Sequence, residues 1–544
     1  MTPFARRRSQ FGLGLLAAFS IMIAACGPST SSPAASGDAT STPAGESPAP
    51  TDAAASCSDQ PFVWADAGEP STLDPAITGI NWEFTVDRNV YDHLTTYDSA
   101  DPSTILPALA TEWSNDGQNT WTFKLRDGVT FHDGSPFSAD DVKASIDRIL
   151  KLGQGQAYLI SSVGSVTVED ATTVQIETKS PDVFLAANLS HIEIVAKKDI
   201  DANAADDGQA WFSENMNGTG PYRFVSWDRG SQITLEINDD WWGTRPECPI
   251  ETVIDKFVGD GATRARGLEG GEYDLAAFVA LDEALRIGDQ DGFTTVKDDN
   301  LWSWPAIYLN TALAPTDNDD FRKALVLAFD YQAMIDSSTG LAATPRGPVP
   351  DWVPGSPEKD LAEISTDLDA AKQALADSGL EGATLKCSVP AGFPEFDFAA
   401  TVLQSSAQEL GVTVEIAQSP FVQALEEIKS NQSNCFIVGN ANISPTDITK
   451  FFDAHYVSTG FFNTTHFASP EFDGLVSDIR STFDDADRYD LTKDAAQAIV
   501  DTHMIIWANR PQAVVPIPDH VTGYVMDPAE YINCRFYELS FYAK

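Results

Sequence analysis

The sequence predicts an α/β protein built in more than one packed layer, and three observations carry that assignment. β-rich runs alternate with amphipathic helical runs from about residue 57 onward. Two helical runs end near a glycine and lead into a strand, the rhythm a parallel sheet requires. The chain has 544 residues, more than one simple core organises, so two or three packed domains follow.

The elements can be justified in chain order. Phe62-Val63-Trp64-Ala65 reads as a buried strand, and Trp121-Thr122-Phe123-Lys124-Leu125 alternates as a half-exposed one. Ser138 sits where an N-cap belongs. Val142, Ile146 and Ile149 recur behind it at helical spacing, with Asp140 and Asp141 at the favourable end of the helix dipole. Residues 367–378 and 396–410 read as helices, and 384–389 and 412–416 as the strands that follow them.

Charge narrows the partners. The chain carries 80 acidic against 34 basic residues, a net of −46, so its surface repels nucleic acid and anionic lipid headgroups. With 43% hydrophobic and 10% aromatic residues it has ample core material.

The first 25 residues read as an address. Arg6, Arg7 and Arg8 precede an apolar stretch over 11–24, which runs into Ile23-Ala24-Ala25-Cys26. That series looks like a bacterial lipoprotein signal, which implies cleavage before Cys26 and acylation of its thiol. Residues 26–57, nearly all Ser, Thr, Pro, Ala and Gly after Cys26, read as a disordered tether reaching roughly 30 Å on average. No later apolar run is long enough to span a bilayer, so the expected membrane contact is the lipid alone.

Five blocks follow one another in a recognisable order. They are Glu69-Pro70-Ser71-Thr72-Leu73-Asp74-Pro75; Phe131-His132-Asp133-Gly134 running on to Val142; Asn217-Gly218-Thr219-Gly220-Pro221-Tyr222; Asp240-Trp241-Trp242-Gly243; and Tyr308-Leu309-Asn310-Thr311 with Phe321-Arg322-Lys323-Ala324-Leu325 through Asp330. In this the chain resembles the extracytoplasmic solute-binding proteins of family 5, the peptide- and nickel-binding subunits of ATP-driven importers. Each block also has a structural reading. His132 lacks a second histidine at ligand spacing and reads as structural. The glycines of Gly218-Thr219-Gly220 suit close backbone packing. Trp241 and Trp242 read as core anchors.

The resemblance implies a two-lobed, periplasmic-binding-protein-like fold (type II, cluster C) with an extra subdomain in lobe I. Lobe I would cover 58–302 with the inserted subdomain near 85–212, lobe II 303–514, and residues 515–544 would return to lobe I. Leu301-Trp302-Ser303-Trp304 and Ala513-Val514-Val515-Pro516 are apolar and extended, as hinge crossings are. The expected protein is a monomer outside the cytoplasmic membrane that captures a peptide or similar solute in the inter-lobe cleft. Its partners would be permease and ATPase subunits, with no cofactor and no metal. A ligand sensor on the cell surface would share this fold.

Catalysis has little support. HExxH, GxSxG and GxGxxG are absent, and Ser356-Pro357-Glu358-Lys359 lacks the partner motifs of a penicillin-binding site.

Within the implied lobes, Cys387 and Cys435 are the only cysteines of lobe II and lie in predicted strands, so they are expected to pair. Cys57 and Cys248 each precede a strand of lobe I and are also expected to pair, leaving Cys534 free. Peptide-binding relatives carry an acidic residue in a "GWxADYPDP"-like loop that meets the peptide's ammonium group. Here the stretch is Val438-Gly439-Asn440-Ala441-Asn442-Ile443-Ser444-Pro445-Thr446-Asp447, with no tryptophan and no acid before Asp447. Asn440 and Asn442 are therefore candidate ligand contacts, with Trp82 and Trp304 as stacking surfaces.

Overall fold

The computed structural model describes residues 56–79, 81–298, 303–441, 446–460, 462–527 and 535–544. Cys26, Asn442, Cys534, Trp302 and nearly all of the expected tether lie outside the described residues. No described helix is long and apolar enough to cross a membrane.

Along the chain, the elements that position the site are β1 (Phe62–Asp66), α1 (Asn81–Val90), β2 (Ala110–Asn115), β3 (Thr120–Leu125) and α2 (Ala139–Leu152). There follow β4 (Val163–Asp170), β5 (Thr173–Thr178), β6 (Tyr222–Asp228), β7 (Gln232–Ile237), β8 (Thr252–Phe257), β9 (Leu275–Ala276) and β10 (Phe293–Asp298). Then come β11 (Ser303–Leu309), α3 (Leu368–Ser378), β12 (Thr384–Pro390), α4 (Pro394–Glu409) and β13 (Thr413–Ser419). The last are α5 (Phe421–Lys429), β14 (Cys435–Ala441), α6 (Ile448–His455), β15 (Ile505–Trp507) and β16 (Ala513–Pro518).

Three larger sheets organise the described residues. The first, in order β9-β1-β8-β7-β6, places β1 between two parallel neighbours, which is why Phe62 and Trp64 are fully buried. The second, β2-β3-β5-β4, is antiparallel and is covered by α2 through Val142, Ile146 and Ile149. The Ser138 amide donates to the Asp141 carboxylate at 2.9 Å, the return bond of a capping box, and Gly153 at φ +62° ends the helix.

The third sheet runs β13-β12-β14-β11-β15, with β12 parallel to both neighbours and β11 antiparallel to both of its own. Gly379 at φ +69° and Gly411 at φ +76° end the helical runs before β12 and β13, so the helix–glycine–strand rhythm is realised. Both faces of this sheet are covered. Ile307, Leu309, Cys387 and Ile437 pack on one side, and Ala306, Tyr308, Phe436 and Trp507 on the other.

A ribbon of β10 and β16 joins the two bodies. The strands pair antiparallel from Phe293↔Pro518 to Asp298↔Ala513, and both continue into the third-sheet body. Ala513, Val514 and Val515 bury their side chains with the first sheet. β16 thus begins within the stretch 513–516 read as a hinge crossing.

The subdomain is narrower than 85–212. Val86, Val90, Val195 and Phe212 pack with the first sheet, while Ala76, residues between Leu94 and Ile194 and, from outside that range, Trp242 pack in the core of the second. Disulfides join Cys57 to Cys248 and Cys387 to Cys435, with Cα atoms 5.0 and 4.5 Å apart.

Candidate functional site

The carboxyl ends of β12, β13 and β14 and the start of β11 share one edge of the third sheet. Trp304 and Asn440 are direct Cα partners there, as are Ser303 and Ala441, while Pro390 and Ser419 end the parallel pair beside them. Both connections to the first body leave from this edge, after β15 and before β11. In open α/β sheets such carboxyl-end edges hold ligands, because loops diverge there and leave a crevice. The backbone thus brings two of the four expected ligand residues together.

Trp82 has a different position. It lies on α1 in the first body, half-buried, and its indole N–H donates to the Glu69 carbonyl at 3.1 Å. Its ring lies over Gly68, where a Cβ would come within 2.8 Å of the indole. That contact explains the glycine and gives Trp82 a packing role.

Beside the edge, the two bodies meet in a buried seam. Asp447 caps α6 by accepting from the Thr449 amide at 2.9 Å and hydroxyl at 2.6 Å, and its other oxygen accepts from Asn188 at 2.8 Å. Both Asp447 and Asn188 are fully buried. Lys450 donates to the Tyr158 carbonyl at 3.0 Å, and the Val183 amide donates to the Arg480 carbonyl at 3.0 Å. Burial, then the neighbouring Asp447, pushes the Asp182 carboxyl above its ordinary range. The first acid of the loop is therefore committed to the seam, and its carboxylate is not exposed to a solute.

The family-like blocks form scaffold. Asp74 holds Arg148 in a buried fork at 2.7 and 2.6 Å, and Glu69 accepts from the Trp227 indole at 3.1 Å and the Gly230 amide at 2.9 Å. His132 meets the Gly220 carbonyl at 3.0 Å, and burial lowers its pKa to about 4, so it is neutral. A Cβ at Gly218 would lie 1.9 Å from the Val90 carbonyl oxygen, which is the close approach the glycine permits. Among the described residues no group of three or more His, Cys, Asp or Glu could hold a metal.

Trp242 packs against the core of the second sheet, as a core anchor does, but neither it nor Trp241 is fully buried. They are half-buried, donate to Asp92 at 3.4 and 2.8 Å, and border a cavity of about 380 Å³ in the first body. Arg88, Tyr97 and Arg535 line it too, but Arg88 donates to Tyr97 and Tyr97 to Asp527, each at 2.8 Å. Its polar groups largely satisfy one another.

Phe393, Phe421 and Val422, at the starts of α4 and α5 just past β12 and β13, are exposed apolar residues that the sequence reading did not single out. The available signal was a bulky apolar residue beside a proline just past each parallel strand, in Ala391-Gly392-Phe393-Pro394 and Ser419-Pro420-Phe421-Val422.

Comparison with known proteins adds relatives to this geometry. The model of the bacterial extracellular solute-binding proteins, family 5 (middle portion), matches residues 104–463. The probable D,D-dipeptide-binding periplasmic protein of Escherichia coli is 26% identical over 477 residues, covering 86% of this chain and 92% of that protein. The dipeptide-binding protein of E. coli is 26% identical over 516 residues, covering 87% and 94%. Among solved structures, the peptide-bound periplasmic binding protein of Helicobacter pylori superposes with a TM-score of 0.75 at 22% identity, covering 89% of this chain and 98% of that one. A transporter substrate-binding protein of Listeria monocytogenes gives 0.78 at 20% identity, covering 89% and 99%.

Proposed function

The chain belongs to the bacterial extracellular solute-binding proteins of family 5, and from that premise we propose that it captures a small solute between its two bodies and presents it to the permease of an ATP-driven importer. The observation that carries this reading is the sheet edge where Trp304 pairs with Asn440 beside both connections to the first body. A solute bound there touches both bodies only when they approach, so it stabilises the closed arrangement by its differential affinity. No bond is made or broken by this subunit; ATP hydrolysis belongs to its partners.

The finer assignments follow the same reading. Cys26 carries the lipid, residues 26–57 tether the body outside the cytoplasmic membrane, and the protein acts as a monomer. Relatives are named for dipeptides, heme, glutathione and nickel, so the scaffold alone does not choose the solute. Peptides are the first class to test.

Asn440 and Asn442 contact the solute, and the protein does not hold a peptide's free ammonium group by an ion pair. The burial of Asp447 under Asn188 supports this, because a desolvated ammonium needs an available anion. Calorimetry with free and N-acetylated di- to pentapeptides tests it. The expected affinities agree within about threefold (under about 1 kcal/mol) between the two forms. Sub-micromolar binding lost on acetylation would show that another acid meets the amine.

A further inference from the structure

The groups that the first body brings to the buried seam come from its inserted subdomain. Tyr158, Val183, Phe184 and Asn188 all lie between Leu94 and Ile194. Asn188 is the telling residue. It is 0% exposed, its side-chain nitrogen donates to Asp447 at 2.8 Å, and among the described residues its side chain has no hydrogen-bond partner in its own body. A buried amide costs free energy unless it is bonded, so only the contact across the seam accounts for it.

Phe184 also serves the other body. Its ring packs on the core formed by Phe451, Phe452 and Ile479, a cluster whose every other member lies at residue 306 or beyond. The Arg488 guanidinium stands 5.7 Å from the same ring. Two more bonds cross beside it, from Lys450 to the Tyr158 carbonyl and from the Val183 amide to the Arg480 carbonyl, each at 3.0 Å.

Each side holds its shape without the other. Asp182 accepts from the Ser162 hydroxyl at 2.5 Å and the Phe184 amide at 3.0 Å, and its carbonyl accepts from the Trp121 indole at 3.2 Å. These bonds fix the segment on the second sheet. Across the seam, Asp447 keeps its cap on α6 through Thr449. Parting the bodies therefore breaks a few polar bonds and uncovers one ring, which is the pattern of a contact that opens and shuts.

We propose that the inserted subdomain is a clasp: its segment 182–188 docks on α6 and the helix Pro470–Ser481 and tilts the two bodies toward the closed arrangement before any solute enters. This rests on the solute-capture reading above for the motion itself, and adds the share of closure that solute does not supply.

Hydrogen exchange on the whole mature protein, with no solute added, reads the clasp at the Val183 amide, whose bond crosses the seam. In the wild type that amide should exchange more slowly than an unbonded one and faster than the amides of β3. Asn188→Ala in one body and Lys450→Met in the other each remove one bond that involves a charged group. Each should speed exchange at Val183 about tenfold while β3 and β12 keep their protection. An effect of Lys450→Met on Val183 has to cross the seam, so local loosening of the subdomain does not imitate it; where one variant frees β3 or β12, the other decides. Free exchange at Val183 in the wild type overturns the proposal, and so does an unchanged rate in the variants. Protection equal to that of β3 overturns it too, because the seam is then a permanent weld. No solute is present in this experiment, so its failure stays separate from a failure of solute capture, which calorimetry with peptides reads.

Discussion

Replacing Asp74 with Ala should destabilise the protein by about 3–5 kcal/mol, the cost of leaving a buried charge without its partner. Asp74 and Arg148 form a two-pronged ion pair at 2.7 and 2.6 Å, with side chains 0% and 3% exposed. Removing the carboxylate leaves the guanidinium buried. Its remaining contacts are the Asp207 carbonyl, 2.6 Å from Nε, and the Phe212 ring at 4.5 Å. Neither neutralises it. The second step of the cycle is decisive. In Asp74→Ala/Arg148→Met the stranded charge is gone and an apolar chain lies against Phe212, so much of the loss should return, with a coupling of at least about 2 kcal/mol. Urea denaturation followed by tryptophan fluorescence reads all four corners. A single variant within about 1 kcal/mol of wild type, or additive effects within about 0.5 kcal/mol, would refute a role for the pair in holding α2 to the first body.

Other outcomes follow from the same geometry. Gly218→Ala places a methyl against the Val90 carbonyl and should abolish soluble expression, whereas Gly230→Ala, with open space but φ +73°, should cost only about 1 kcal/mol by denaturant titration. Burial raises the Asp66 pKa from 3.8 to about 6, so its protonated form favours the fold. That stability is present below about pH 4 and lost as pH rises to 6, about 3 kcal/mol in all, and Asp66→Asn should flatten melting curves across that window. Peptide mapping without reduction should recover Cys57 with Cys248 and Cys387 with Cys435; finding either pair as free thiols would contradict the geometry. Cys26→Ala should leave an uncleaved precursor or release the protein, and persistent lipid labelling of that variant would end the anchor assignment.

Local chemistry made much of the fold legible. The Ser138 cap, the glycines that end two helical runs and the apolar periods of β1 and α2 depend on neighbours within a few residues, so they could be read directly. The subdomain limits could not be, because whether Val86 or Phe212 packs with the first sheet or the second depends on contacts far along the chain. The site divides in the same way. The sequence placed Asn440 in a loop and Trp304 at a hinge crossing, and only the fold shows that they are backbone partners on β14 and β11, while Trp82, expected near the cleft, packs on Gly68.

The recognisable blocks themselves point away from the solute. Glu69, Asp74, His132 and the Trp241–Trp242 pair all have partners within the protein, in Trp227, Arg148, Gly220 and Asp92. A side chain held in such a network cannot be retuned for a new ligand without loosening the joint it makes. Family-wide motifs of this kind therefore report the hinge-bearing scaffold. The loops past β12, β13 and β14 carry none of these blocks.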